Sequence, residues 1–247
     1  MNRRWIPRLL GLVIPFLAWE VASRTGLMHP VFLPPFSTVL WQVVTLPGEV
    51  WPDFLSTGFE IVVSLLLTGF SGVVIGVVLA QSEKLDALLG ALMWFFYAAP
   101  LVVFTTFFIV TLGVGPGVPI CLGIMSGIVF VIASTRDGVR EVGKDLVNVG
   151  RVFGANPLEL ALRIVVPAAV PMIMAGLRIG VGRVLVGVIV GEFFASGGGL
   201  GYLIVRYGNE LDMARVYAAV AWIVFTSILL NTGFARIERS FVTWRPV

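Results

Sequence analysis

Asn148-Val-Gly-Arg-Val-Phe-Gly154-Ala-Asn156-Pro157-Leu-Glu159-Leu-Ala-Leu-Arg163-Ile164-Val-Val-Pro167-Ala-Ala-Val-Pro171 is the one well-punctuated, charge-bearing stretch between long apolar runs. Asn156 is an N-cap residue, and Pro157 suits the first helical position, where a missing N–H costs nothing. Glu159, three residues past the cap, completes an Asn-x-x-Glu form of the capping box. The pattern predicts a short helix that begins at Pro157 and stops before Pro167. Leu158, Leu162 and Val165 fall on one face of that helix, with Leu160 and Ile164 on a neighbouring face. Gly154, just ahead of the cap, permits a sharp reversal or a close backbone contact. The expectation is a short rigid peg between two apolar spans.

What surrounds the peg decides the class. The chain has 247 residues, 58% hydrophobic and only 13% charged, with a mean hydropathy of +0.99. Soluble domains carry about 25% charged residues, so this is an integral membrane protein of all-α class. The length leaves room for about six spans of ~20 residues and for no separate soluble domain. Spans are expected over about 9–24, 54–80, 91–112, 118–135, 171–195 and 216–235, with a charged loop over 136–170. They form one transmembrane domain.

The first apolar run follows Arg3, Arg4 and Arg8 and resembles a secretory signal. Glu20, Arg24 and the lack of a small-x-small cleavage site point to an uncleaved span. Pro30, Pro34 and Pro35 then break any helix, and Ser37 is placed to cap an interfacial helix through Leu46. Trp41 and Trp51 suit a membrane interface. Small residues at Gly69, Gly72 and Gly76 let another helix approach span two closely. Pro100 should kink span three.

Orientation follows from the basic residues. With both termini in the cytoplasm, Arg3, Arg4, Arg8, Lys84, Arg136, Arg140, Lys144, Arg151, Arg163, Arg236, Arg239 and Arg245 lie inside. Only Arg24, Arg206 and Arg215 lie outside, and Arg178 and Arg183 fall within span five. That arrangement puts the peg on the cytoplasmic side.

Gly154, nine intervening residues, Ile164, one residue and then Val166-Pro167 resemble the Gly-x9-Ile-x-Leu-Pro core of the EAA loop. That loop marks the permease subunits of bacterial ABC importers, in which it forms the coupling helix that docks into the ATPase. The family's Glu-Ala-Ala positions are here Asn148, Val149 and Gly150, and its Leu is Val166. Trp19-Glu20, the segment Phe32 to Leu40, Gly176-Leu-Arg178 through Arg183, and Gly191-Glu192 with Gly199-Leu-Gly201-Tyr202 are similar to the nitrate/taurine/alkanesulfonate/bicarbonate branch of that family. The resemblance implies a type I importer permease in the bacterial inner membrane. It implies a homodimer, two ATPase subunits that bind ATP and Mg, and a periplasmic or lipid-anchored solute-binding protein. On it, Gly154, Ala155, Asn156, Pro157, Leu158, Glu159, Leu160, Arg163, Ile164 and Pro167 make the coupling helix.

The residues themselves exclude several chemistries. No Gly-x4-Gly-Lys-Ser/Thr run occurs, so no P-loop is encoded and no cofactor is expected on this chain. Cys121 and His29 are the only residues of their kinds, which rules out an intrachain disulfide and a cysteine-cluster or multi-histidine metal site. No nucleophile–base pair is visible, no catalytic residue is assigned, and no nucleic-acid partner is expected beside membrane lipid. Charges inside spans are functional candidates. Arg183, deep in span five, reads as an attraction for an anionic solute, a gate ion pair, or a structural partner of Glu60 on span two. Glu192 reads as part of an outer gate with the glycine-rich turn after it, or as a solvated helix end. Phe104, Phe107 and Phe108 either line the pathway or pack span three. Where related permeases carry an Arg and a Pro-Pro pair, this chain has Phe96 and Ala99-Pro100, which suits an apolar or aromatic solute. The rival reading is an ATP-independent secondary transporter or channel whose ion path uses Arg183, Glu60 and Glu192.

Overall fold

Backbone crossing hydrocarbon must satisfy its own N–H and C=O groups, so apolar runs of this length have to be helices. The computed structural model describes residues 5–29, 31–195 and 197–241; Arg3, Arg4 and Arg245 and the side chains of Arg8 and Lys144 lie outside what is described. Eleven α-helices are found among the described residues, and no strand. They are α1 (Trp5–Arg24), α2 (Phe36–Thr45), α3 (Pro47–Gln81), α4 (Glu83–Ala98), α5 (Leu101–Leu112), α6 (Gly117–Glu141), α7 (Lys144–Val152), α8 (Pro157–Leu160), α9 (Val166–Ala195), α10 (Leu200–Asn209) and α11 (Met213–Phe241). A π-helical turn, Ala161–Val165, joins α8 to α9.

Among the described residues, four stretches are long and apolar enough to cross a membrane: Gly48–Gln81, Gly117–Glu141, Pro157–Ala195 and Met213–Ser240. Helices α4 and α5 pass the same test only as a pair, bent by 96°. Pro100, expected to kink one span, instead ends α4 and caps α5, because the ring removes a donor and pushes Ala99 to extended geometry. The gap of 81–90 between the expected spans two and three shrinks to Ser82, whose hydroxyl accepts a hydrogen bond from the Leu85 N–H and caps α4. The segment 136–170, expected as a charged loop, is mostly helical.

The residues pack as two units, 1–56 with 198–225, and 57–197 with 226–247; α3 and α11 contribute to both. In the first unit α1 and α2 are stitched by polar contacts. The Trp19 indole N–H donates to the Pro34 carbonyl at 2.9 Å and the Ser23 hydroxyl to the Leu33 carbonyl at 2.7 Å. Ser37 does not cap α2 as expected. It lies in the first turn and donates its own N–H (3.0 Å) and hydroxyl (2.9 Å) to Glu20, so α1 supplies the capping carboxylate. Tyr207 of α10 is fully buried, and burial pushes its phenol above the ordinary range.

The second unit is built on α6. Helix α3 runs parallel to it, with Ser64 near Ile120 and Gly76 against Thr135. Helix α9 runs antiparallel, with Gly191 against Pro119 and Gly176 against Ser134. Both seams depend on missing side chains: a Cβ at Gly76 would lie 2.6 Å from the Thr135 Cβ, and one at Gly191 2.5 Å from the Pro119 Cα. Two of the three glycines singled out in span two, Gly72 and Gly76, do face α6, whereas Gly69 meets Leu177 of α9. Ile61, Val184, Leu185 and Val188 close the α3–α9 contact.

The seam makes a contrast testable. An added methyl at Gly58, where nothing lies within 4 Å, should raise stability by up to ~1 kcal/mol through helix propensity. The same change at Gly76 should cost about 1–3 kcal/mol through overpacking. Thermal melts in detergent of Gly58→Ala and Gly76→Ala check this; indistinguishable melts would remove the seam from the account.

Candidate functional site

The peg is built as its sequence directs, up to one point. The Asn156 side chain accepts from the Glu159 N–H at 2.9 Å, and the Glu159 carboxylate accepts from the Asn156 N–H at 3.0 Å, so the capping box is complete. Gly154 sits at φ +78°, a left-handed geometry that an L side chain resists. Its N–H donates to Arg151 and the Ala155 N–H to Gly150, which closes α7 and reverses the chain into α8. Leu160 is buried and Ile164 half-buried, and both pack at Gly150 of α7, where a Cβ would collide with them. Leu158 and Leu162 point out, 67% and 60% exposed. Leu160 and Ile164 thus form the seated face and Leu158 and Leu162 the free one, while Val165, expected beside the latter pair, is half-buried.

The stop at Pro167 does not occur. Pro167 is the second residue of α9, and helix runs on from the peg without interruption. A proline there leaves the Arg163 carbonyl without its usual donor and crowds it. The π turn takes up that mismatch: the Val166 N–H reaches back five residues to Ala161. Peg and span five thus form one rod, Pro157–Ala195, of 39 residues.

Helix α7 was not foreseen. Leu146, Val149 and Val152 recur at helical spacing, with Asp145 in the first turn and Arg151 in the last, a signal masked by the charges around it. Val152 and Phe153 are 86% and 87% exposed. Between α7 and the peg lies a cleft of about 350 Å³ lined by Leu146, Val149, Phe153, Glu159, Arg163 and Ile164. At the same end of the unit, Asp86 binds Arg136 at 2.9 Å and Arg140 at 3.0 Å, tying the start of α4 to the end of α6.

Of the intramembrane candidates, two come together and one stands apart. Glu60 and Glu192 are both 1% exposed, and Thr57 donates to Glu192 at 2.5 Å. Glu60 packs against Glu192 across the α3–α9 contact. Arg183 lies nine residues from Glu192, about 13 Å along a helix. It is exposed, and its guanidinium sits 4.8 Å over the Phe130 ring, with no ion pair among the described residues. Arg178 pairs with Glu238 of α11 at 3.4 Å. In span three, Phe104 and Phe108 pack on Val118, Leu122 and Ala195, while Phe107 is 60% exposed.

In the other unit the glycine-rich turn has an anchor that sequence reading missed. The Gly199 N–H donates to the Asp53 carboxylate at 2.6 Å, and Gly199 itself has φ +104°. Asp53 lies 146 residues away along the chain, and no local pattern announces it.

Residues 72–243 match the family described as binding-protein-dependent transport system inner membrane component. A probable ABC transporter permease protein of Haemophilus influenzae is 26% identical over 98% of this chain and 99% of its own length. The taurine transport system permease protein of Escherichia coli is 24% identical over 94% and 87%. An inward-facing structure of the MetNI methionine ABC transporter superposes with a TM-score of 0.69 at 19% identity, covering 82% of this chain and 97% of the other. The class is that of multi-pass, all-helical ABC transporter permeases. The chain belongs to the binding-protein-dependent transport system inner membrane component family.

The reciprocal cap predicts a specific coupling. Asn156→Ala and Glu159→Ala should each loosen the peg by about 1 kcal/mol. Together they should cost less than the sum, because each bond holds the other's geometry. Hydrogen exchange at the Glu159 and Leu160 amides measures both; strict additivity would mean the box does not act as a unit.

Proposed function

We propose that this chain is the membrane-spanning subunit of an ATP-driven importer. It takes a small solute from an extracytoplasmic binding protein and passes it to the cytoplasm by alternating access. Hydrolysis belongs to a separate ATPase. Two copies of the chain with two ATPase subunits make the assembly. Helix α1 and the bent α4–α5 pair complete six spans, and both termini lie in the cytoplasm, in keeping with the basic residues gathered at the peg end.

One observation carries this reading: an apolar, unpartnered peg face continuous with a 39-residue rod. Val152, Phe153, Leu158 and Leu162 stand out from an otherwise seated turn, on a stretch too charged to lie in lipid. A partner that pushes on Leu158 and Leu162 moves α9 directly, with no flexible joint between contact and span, while Val152 and Phe153 extend the docking surface from α7. Coupling residues Gly154 to Ile164 shape this surface, and Pro167 lies within the rod. The ATP-independent alternative needs Arg183 in one path with Glu60 and Glu192, and Arg183 sits over Phe130 instead.

The test is transport in liposomes that hold the assembled complex. Phe153→Asp, at a residue 87% exposed, should leave insertion intact and lower ATP-driven uptake at least tenfold. Uptake driven by an ion gradient, without ATP or the ATPase, would overturn the importer reading.

A further inference from the structure

The second unit holds an apolar cavity of about 450 Å³ between α3, α4, α5 and α6. Its wall includes Phe96 and Met93 of α4, Phe108 of α5, and Cys121, Met125 and Ile128 of α6. No lining side chain carries a charge, an amide or a hydroxyl. The volume is that of a small-molecule pocket and far short of what a packed helix would need. Most of the wall is aliphatic, and set into it are the Phe96 and Phe108 rings and the Met93 and Met125 sulfurs, which make favourable contacts with aromatic groups. The nearby cation does not serve it: the Arg183 guanidinium is engaged on Phe130, which is not part of the wall. A sulfonate or carboxylate entering this space would shed its water and find no donor.

We infer that this cavity seats a neutral, ring-bearing solute on its way through the membrane, and that sulfonates and other small anions are excluded from it. The inference rests on the importer reading and narrows it to a substrate class. The wall is split between α6, fixed to α3 and α9, and the α4–α5 pair, broken at Pro100. The cavity therefore lies between the glycine-packed α3–α6 seam and a bent pair held to α6 at Asp86 and at Phe108.

Cys121 is the only cysteine in the chain and lines the cavity, so occupancy can be read without engineering. The full complex in nanodiscs is treated with methyl methanethiosulfonate, and the rate of Cys121 modification is followed by mass spectrometry. Indole, as a neutral bicyclic probe, should slow modification at least fivefold at millimolar concentration. Taurine, as a sulfonate probe, should leave the rate unchanged. The variant Met125→Trp, which fills the space, should slow modification by itself and abolish the indole effect. If that variant fails to assemble, the thermal shift given by indole and withheld by taurine on the unaltered complex provides the second readout. Protection by taurine, no protection by indole, or a thiol already silent because lipid fills the cleft would each overturn the inference. Binding-protein-stimulated ATP hydrolysis by the same preparation keeps the two readings apart. Hydrolysis with the wrong protection pattern removes the substrate class alone, whereas no stimulated hydrolysis removes the importer reading beneath it.

Discussion

The close approach of α6 and α9 is the constraint on which the second unit depends. Lipid offers no hydrophobic drive to bring helices together, so contact has to come from packing at short range. Glycines supply it. At Gly187 an added Cβ would meet the Leu122 carbonyl, and at Gly191 it would meet the Pro119 backbone. Dispersion is weak per atom pair but accumulates along a long seam. The result is two antiparallel helices that move as one body, with α3 joined to α6 by the same device at Gly72 and Gly76.

That rigidity gives the peg its meaning. A rod of 39 residues spans about 58 Å, and its first turn is fixed by a capping box rather than left to fray. At one end the peg is seated on α7 through Gly150. Toward the other end the rod carries Glu192, buried against Thr57 and Glu60. Polar groups so placed are costly unless they are used, and here they pin α9 to α3. Asp86 does a comparable job for α4 and α6 at the peg end, where Arg136 and Arg140 share its carboxylate. Charge at the peg end of this unit thus ties α4 to α6, while Glu192 holds α9 to α3 through Thr57.

Much of this was legible because it is local. The capping box, the reversal at Gly154, a bend at Pro100 and the helical class all follow from residues within a turn or two of one another. The two faces of the peg were readable too, since 3.6-residue periodicity sorts Leu160 and Ile164 from Leu158 and Leu162. What escaped is mostly long-range. Asp53 under Gly199 and Glu20 at the start of α2 are ordinary acidic residues until the fold brings their partners. Pro167 misled for a different reason: the rule that a helix ends ahead of proline assumes α-register, and the π turn over 161–165 changes the register. Helix α7 was hidden because a charged stretch was read as loop, although its apolar positions keep helical spacing.

The same geometry bears on why the pathway candidates divide as they do. Arg183 was a natural choice for an anion site on depth alone. Depth does not fix direction, however: the residue faces away from the α3–α9 contact and rests on an aromatic ring, where a cation is held without a counter-ion. Phe104 and Phe108 pack inward while Phe107 faces out, so an aromatic-rich helix both closes a core and borders a cavity. With Arg183 turned onto Phe130 and Glu192 buried against Thr57, the space beside α6 is left with apolar and ring contacts alone, and the inferred solute is one that such contacts suit.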